Sequence, residues 1–145
     1  MQPTTEVAPN LLARRRLTTL ALLLLTIPLG LAWRMAPLHL SPFLFKYGGS
    51  VLWAIALYWF LAALLPKLTP ARLAPIAALA SALVEFSRLW HTHATDAFRL
   101  TLAGRILLGR FFSPKNIAAY WLAIAVVSLL DHLLSSRTQS SALPG

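Results

Sequence analysis

This chain of 145 residues is too apolar for a water-soluble domain, since 58% of its residues are hydrophobic and only 12% are charged. In soluble domains about half of the residues are apolar and about a quarter are charged. The lipid bilayer is therefore the solvent that suits the chain. Its 13 Lys and Arg residues face four acids, for a formal net charge of +9. Because these cations lie at the ends of apolar runs, they favour anionic lipid headgroups as partners and argue against nucleic acid.

Chemistry-bearing residue types are few. The absence of cysteine excludes disulfides, thiolate catalysis and Cys-ligated metals. Ser128 and the other hydroxyl residues have no base at a useful spacing, so the sequence offers no nucleophile–base set. Glycine-rich phosphate-binding loops are absent as well. We therefore expect no cofactor, and the sequence argues against an enzyme.

The length accommodates one transmembrane domain, which we place at residues 14–134, with disordered tails at 1–13 and 135–145. Four spans of about 20 residues occupy most of that length. A short turn between the second and third spans makes them antiparallel neighbours. The predicted fold is an all-α membrane protein, an antiparallel bundle of four transmembrane helices at about 17–33, 50–65, 73–90 and 117–134.

The first apolar run follows Arg14, Arg15 and Arg16, as the core of a signal peptide would. However, it is longer than such a core usually is, and the following residues 34–37 lack a small-x-small cleavage site. We interpret it as an uncleaved first span. The same three arginines set the orientation, because the basic residues as a whole divide equally between the two sides and the first helix usually dominates. Both termini are expected on the cytoplasmic side.

The longest connection, residues 91–116, contains the most unusual chemistry. Its apolar stretch at 106–108 is too short to span a bilayer and lies between Gly104 and Gly109. We predict an interfacial or re-entrant segment over 98–112, between the third and fourth helices. Ser113 as an N-cap and Pro114 at the first helical position predict that the last helix begins there.

Glu85 is the most informative residue, because it lies within the third span, where an ionised carboxylate is costly unless it is paired. Arg88, three residues later, shares its helical face. One interpretation is an ion pair that holds the bundle together, and the other is a polar site that faces an outward cavity. Asp131 differs from Glu85 in depth by roughly 10 Å, so we expect no catalytic pair between them. Asp131 is instead expected to anchor the inner side or to pair with a basic loop residue such as Lys67 or Arg72.

Two histidines offer a metal-site hypothesis. His91 and His93 could bind a metal from an extended loop with Asp96 as a third ligand. However, interfacial histidines are common, Trp90 lies beside this pair, and spacing places no further ligand. We therefore predict no metal site and keep His91 and His93 as weak candidates.

Basic residues follow the histidines and are interleaved with phenylalanines, which suits phosphate headgroups at a membrane surface. Simple interfacial anchoring is the alternative interpretation. The basic residues are Arg99, Arg105, Arg110 and Lys115. The candidate binding residues of the whole chain are Glu85, Arg88, Asp96, Arg99 and Arg105.

An ordered set of polar residues over about 46–131 resembles a family of small, uncharacterised bacterial membrane proteins that are similar to the VanZ-like proteins. The residues that carry the resemblance are Lys46-Tyr47, Glu85 to Trp90, Asp96 to Arg99, Thr101, Gly104 to Gly109, Phe112-Ser113, Ala119-Tyr120 and Asp131. The resemblance implies four membrane helices, the bacterial inner membrane as location, and no established enzymatic activity. VanZ-like members are associated with tolerance to glycopeptide antibiotics, which implies a cell-envelope role.

The chain departs from that family's pattern at four positions. The family usually has Gln where Arg88 stands and an acid where Asn116 stands, and it has Gly at the positions of Ala123 and Val127. The first two departures weaken any mechanism that needs a neutral or an acidic group there. We therefore expect a non-enzymatic accessory or lipid-interacting cell-envelope factor, with a membrane protein as a further possible partner. The alternative is a small transporter or membrane enzyme that acts on a lipid-linked or amphipathic substrate through an outward-facing polar cavity.

Overall fold

The computed structural model of the chain describes residues 7–37, 39–109 and 111–140. In those ranges every regular element is helical. Four long helices are joined by short connections, except that two short helices lie between the third and the last long one. The helices are α1 (Val7–Met35), α2 (Pro42–Leu64), α3 (Pro70–Ser87), α4 (His93–Leu100), α5 (Leu102–Leu107) and α6 (Pro114–Ser140).

Proline begins three of the long helices, where its missing N–H costs nothing because the first helical amides have no intrahelical acceptor. At α2, the Ser41 side chain also accepts a hydrogen bond from the Leu44 amide at 3.4 Å. The last helix begins at Pro114, the position that the sequence predicts. Proline thus fixes where the chain re-enters the bundle after each of three connections.

Hydrogen bonds from two tryptophans indicate that neighbouring long helices run in opposite directions. The Trp33 indole near the end of α1 donates to the Leu44 and Phe45 carbonyls at the start of α2, both at 3.3 Å. The Trp121 indole near the start of α6 donates to the Ala78 carbonyl of α3 at 3.2 Å. The α1–α2 and α3–α6 pairs are therefore antiparallel.

Contacts between α2 and α6 complete the topology. The ring centroids of Trp53 and Tyr120 lie 5.1 Å apart, and one turn or more further along both helices Tyr58 hydrogen-bonds Asp131 at 2.9 Å. Helices α2 and α6 therefore run parallel. The four long helices alternate in direction, so the start of α1, the turn between α2 and α3, and the end of α6 meet at one end of the bundle.

The core lies between α2, α3 and α6 and consists of alanines around a few large side chains. Small residues allow such helices to approach closely. Large apolar side chains cover the outer faces, among them Leu24, Leu83 and Leu122, each more than 60% exposed. Exposed apolar surface of this extent is compatible with lipid as its neighbour. The main core residues are Ala54, Tyr58, Ala62, Leu73, Ala77, Tyr120 and Ile124.

Three helices of the described residues are long and apolar enough to cross a membrane, namely Asn10–Met35, Pro42–Leu64 and Pro114–Ser136. They fit a multi-pass membrane protein and overlap the first, second and fourth predicted spans. Helix α3 is not among them. It has 18 residues, includes Arg72 and Glu85, and ends at Ser87 rather than at residue 90.

The helices extend into the segments predicted as tails, since residues 7–13 belong to α1 and residues 135–140 belong to α6. Pro9 lies in the first turn of α1, where proline is tolerated, and residues 135–140 contain neither Gly nor Pro, so they extend an existing helix at little cost. The remaining tail residues, 1–6 and 141–145, lie outside the described residues. Over 98–112 the chain forms the end of α4, then α5 and a coil, and Arg110 of that segment lies outside the described residues.

Gly104 should be required by the contact between α4 and α5. A Cβ atom there would overlap the Phe98 backbone carbonyl, which cannot move aside. Gly104→Ala should therefore destabilise the protein by about 1–3 kcal/mol, the usual range for overpacking. The matched control is Gly30→Ala, where the nearest atom is Leu52 Cβ at 3.8 Å and better helix propensity should stabilise. Thermal unfolding in detergent measures both, and equal midpoints would contradict the prediction.

Candidate functional site

The Glu85 carboxylate lies at the end of α3, is 0% exposed, and accepts hydrogen bonds from three sides. Its Oε1 accepts from the Ser113 amide at 2.7 Å and from the Asn116 side-chain amide at 3.3 Å. Its Oε2 accepts from the Tyr120 hydroxyl at 3.0 Å and lies 2.6 Å from Arg88 Nη1. The ion pair predicted from the Glu85–Arg88 spacing is thus present. We call these five residues the Glu85 cluster.

Arg88 connects the end of α3 to the coil that precedes α6. Its Nε donates to the Leu108 carbonyl, and its Nη1 donates to the Phe111 carbonyl at 3.2 Å. Its Nη2 donates to the Tyr120 hydroxyl at 3.2 Å. Gly109, with φ of +68°, lies so close that a Cβ atom would be 2.9 Å from the guanidinium. Glycine is therefore required both by the left-handed backbone and by the space that Arg88 occupies.

The chemistry of the Glu85 cluster is that of a structural clamp. A carboxylate has about four acceptor positions, and Glu85 has four partners, so no position is left for a substrate. The guanidinium neutralises its charge inside a low-dielectric bundle, where an unpaired charge would be costly. One atom departs from this pattern, since Asn116 Oδ1 is buried without a partner among the described residues.

Arg99 performs a related task outside the cluster. It is 5% exposed and donates to the Ser87 carbonyl at 2.5 Å and to the Trp90 carbonyl at 3.0 Å. Ser87 is the last residue of α3 and Trp90 lies just beyond it. Cations are favourable at the C-terminal end of a helix. Its Nη1 also lies 3.1 Å from Asp96 Oδ1. Arg99 therefore caps α3, and Asp96 holds it there.

The histidines do not assemble a metal site. His91 Nδ1 lies 3.1 Å from Asp96 Oδ1, but no group of three potential metal ligands occurs within the described ranges. The reason is local structure, because Thr92 and Thr95 form a capping box and α4 begins at His93. The extended loop on which the metal hypothesis depended is thus replaced by the start of a helix.

The five predicted site residues do not surround one cavity. Glu85 and Arg88 lie in the buried cluster, and Arg99 and Asp96 form a neighbouring pair. Arg105 is exposed on α5, and its backbone carbonyl accepts a hydrogen bond from Arg34 Nη1 at 3.1 Å. These distances describe a connected end of the bundle rather than a binding pocket.

A second buried carboxylate lies at the opposite end of the bundle. Asp131 is 3% exposed, and its Oδ2 accepts from Arg15 Nη2 at 3.1 Å and from the Tyr58 hydroxyl at 2.9 Å. Ser135 donates to Oδ1 at 3.4 Å. Its cationic partner is therefore Arg15 of α1, not Lys67 or Arg72. Sequence analysis missed this pair, although the alternating direction of the helices brings the arginine run and Asp131 to one end.

Two cavities accompany these clusters. A groove of about 450 Å³ lies between α1, α2 and α5, and we call it the lateral groove. A cavity of about 300 Å³ lies at the other end, between the start of α1, the turn after α2 and the end of α6. We call it the basal cavity. Asp131 and Arg15 line the basal cavity, whereas no residue of the Glu85 cluster lines either one.

Removing the charge of Glu85 should destabilise the fold, because Arg88 would remain buried without a counter-charge. We expect Glu85→Gln to cost about 3–5 kcal/mol and Tyr120→Phe, which removes one donor, to cost about 1–2 kcal/mol. Asp96→Asn is the control, since Asp96 is 48% exposed and such pairs contribute about 1 kcal/mol or less. Unfolding in detergent by denaturant would measure the series. An effect of Asp96→Asn as large as that of Glu85→Gln would contradict the clamp.

Comparison with known proteins gives a family without an assigned role. A family model described as "Protein of unknown function (DUF2809)" matches residues 39–124. The matched range contains the whole Glu85 cluster and excludes Asp131 and all of α1. No solved structure matches the chain. The prediction of an uncharacterised family is confirmed, although the match supplies no link to the VanZ-like proteins. Because more than half of its length fits that family model, the chain belongs to the DUF2809 family of proteins of unknown function.

Proposed function

We propose that this protein is a non-enzymatic, multi-pass membrane protein of the cell envelope that binds one acyl chain of a membrane phospholipid in its lateral groove. The observation that carries the proposal is the make-up of the groove. Apolar side chains of α1, α2 and α5 line it almost completely, and a single cation, Arg34, stands among them. An apolar slot with a cation at one end suits a phospholipid.

The groove has the length of one leaflet. Along α1 it extends from Leu23 to Arg34, a rise of about 16 Å at 1.5 Å per residue, which is about half of the hydrocarbon thickness. Arg34 lies in the last turn of α1, at the level where a phosphate would lie. The Thr26 hydroxyl in the groove already donates to the Leu22 carbonyl at 2.7 Å. The slot therefore offers an acyl chain no unpaired hydroxyl donor.

The topology supports four spans rather than three. Helix α3 begins at the turn beside the start of α1 and ends two residues after Glu85, which contacts the first two turns of α6. It therefore covers much of the same layer as α6, in the opposite direction, and its polar residues are paired or near its ends. Ile106, Leu107 and Leu108 line the groove, which supports an interfacial segment between α3 and α6. With an even number of spans, both termini lie on one side, and the arginine run favours the cytoplasmic side of a bacterial inner membrane.

The transporter or enzyme alternative requires a polar cavity that Glu85 can reach. Four partners occupy the acceptor positions of the Glu85 carboxylate. Glu85 lines neither the lateral groove nor the basal cavity. The closed clamp thus favours a non-enzymatic role. The resemblance to VanZ-like proteins agrees with a cell-envelope role, and anionic headgroups remain the partners that Arg34 would select.

Filling the groove should displace lipid. Ala56→Phe adds a ring between α1 and α2, and Leu122→Phe is the control on an exposed face outside the groove. Native mass spectrometry of the detergent-purified proteins should show at least about 10-fold less bound phospholipid for Ala56→Phe only.

Arg34→Gln should reduce the preference for phosphatidylglycerol over phosphatidylcholine about fivefold, since a surface charge contributes about 1 kcal/mol. Lys115→Gln is its charge control. Unchanged lipid in Ala56→Phe would contradict the proposal.

Reporter fusions test the four-span topology. A reporter active only in the cytoplasm should work when fused after Ser140, and one active only in the periplasm should work when inserted near Trp90. Cytoplasmic activity near Trp90 together with periplasmic activity after Ser140 would contradict the proposal, because three spans without α3 and an inverted four-span orientation both give that pattern.

A further inference from the structure

We propose that the basal cavity binds a phosphomonoester dianion. The cavity, of about 300 Å³, lies at the end of the bundle opposite to Arg34, and three cations line it, Arg14, Arg15 and Lys67. Asp131 is its one carboxylate among the described residues. This site is independent of the lateral groove, with which it shares no lining residue.

The charges of the site leave an excess of two. Arg15 and Asp131 neutralise each other across 3.1 Å, and Tyr58 and Ser135 hold the carboxylate in place. The Arg14 guanidinium and the Lys67 ammonium have no hydrogen-bond or ion-pair partner within the described part of the chain. A ligand with two negative charges would balance them. A phosphomonoester carries about −1.5 to −2 at neutral pH, whereas a phosphodiester carries one charge.

Two residues that line the basal cavity carry donors without an acceptor among the described residues. Arg15 Nε is buried and lacks an acceptor among the described residues. Thr69, the N-cap of α3, lines the cavity but makes no side-chain cap hydrogen bond. No acidic residue occupies the first turn of α3, so the positive end of that helix dipole is not compensated. A phosphate oxygen would satisfy these donors.

Apolar side chains form much of the remaining lining, among them Leu12, Leu22 and Trp59. Thr18 and Thr19 also line the cavity, and their hydroxyls already donate to backbone carbonyls of α1. The arginine run that contributes Arg14 and Arg15 also lies where α1 would leave the hydrocarbon. Two sources of a phosphomonoester are compatible with this geometry, a lipid headgroup such as that of phosphatidic acid, and a soluble phosphate. The shared requirement is a dianionic phosphate group.

The test compares two double variants that remove the same charge. Arg14→Gln/Lys67→Gln removes the two unpaired cations of the cavity. Arg16→Gln/Arg72→Gln removes two exposed cations nearby that do not line it. Both pairs are exposed and outside the core, so both proteins should fold. Binding of phosphatidic acid, phosphatidylglycerol and inorganic phosphate to the full chain in neutral-detergent micelles is measured by thermal shift and native mass spectrometry.

Phosphatidic acid should bind more tightly than phosphatidylglycerol. The cavity variant should weaken the binding of phosphatidic acid about 30-fold, since each lost charge near a headgroup costs about fivefold in affinity. The control should change it by less than about threefold. Competition by millimolar inorganic phosphate would identify a soluble ligand, and a lack of competition would identify a lipid ligand. Equal losses in both variants, or equal binding of the two lipids, would overturn the proposal. Ala56→Phe should leave this binding unchanged, which separates it from the lateral groove.

Discussion

The ion pair between Glu85 and Arg88 is the constraint on which one end of this bundle depends. A carboxylate with 0% exposure among apolar helices must have its charge balanced and its lone pairs filled, or the fold would lose several kcal/mol. The balance comes from Arg88, just beyond the end of α3. The remaining hydrogen bonds come from the coil before α6 and from its first two turns. Residues 111–116 therefore have little freedom to lie elsewhere.

The clamp also positions the wall of the lateral groove. Arg88 holds the Leu108 carbonyl, and Leu108 with its two predecessors faces α1 and α2 across the groove. Arg34 binds the Arg105 carbonyl from the other side. The buried polar network thus sets the shape of the apolar groove in which we propose that lipid binds. This arrangement separates the cost of burying charge from the affinity for a ligand.

Sequence reasoning recovered the features that depend on local spacing. Apolar runs located α1, α2 and α6, the Ser113-Pro114 pair located the start of α6, and the three-residue spacing gave the Glu85–Arg88 pair. It could not supply the other partners of Glu85, which lie 28 to 35 residues away, because periodicity contains no information on which helices face each other. The Arg15–Asp131 pair, 116 residues apart, was missed for the same reason. The capping box that begins α4 at His93 also depends on a local pattern, Thr92 and Thr95, which sequence reasoning interpreted as an extended loop.

The two ends of the bundle solve the same problem with the same residue types. At each end a buried carboxylate is held by one arginine and one tyrosine, Glu85 by Arg88 and Tyr120, and Asp131 by Arg15 and Tyr58. The difference lies in what covers them. Backbone groups of the coil before α6 enclose the first set, whereas the second opens on a cavity with unpaired cations. Of the two buried carboxylates, Asp131 therefore lies beside an accessible excess of positive charge, and this difference is the reason for proposing the dianion site at its end of the bundle.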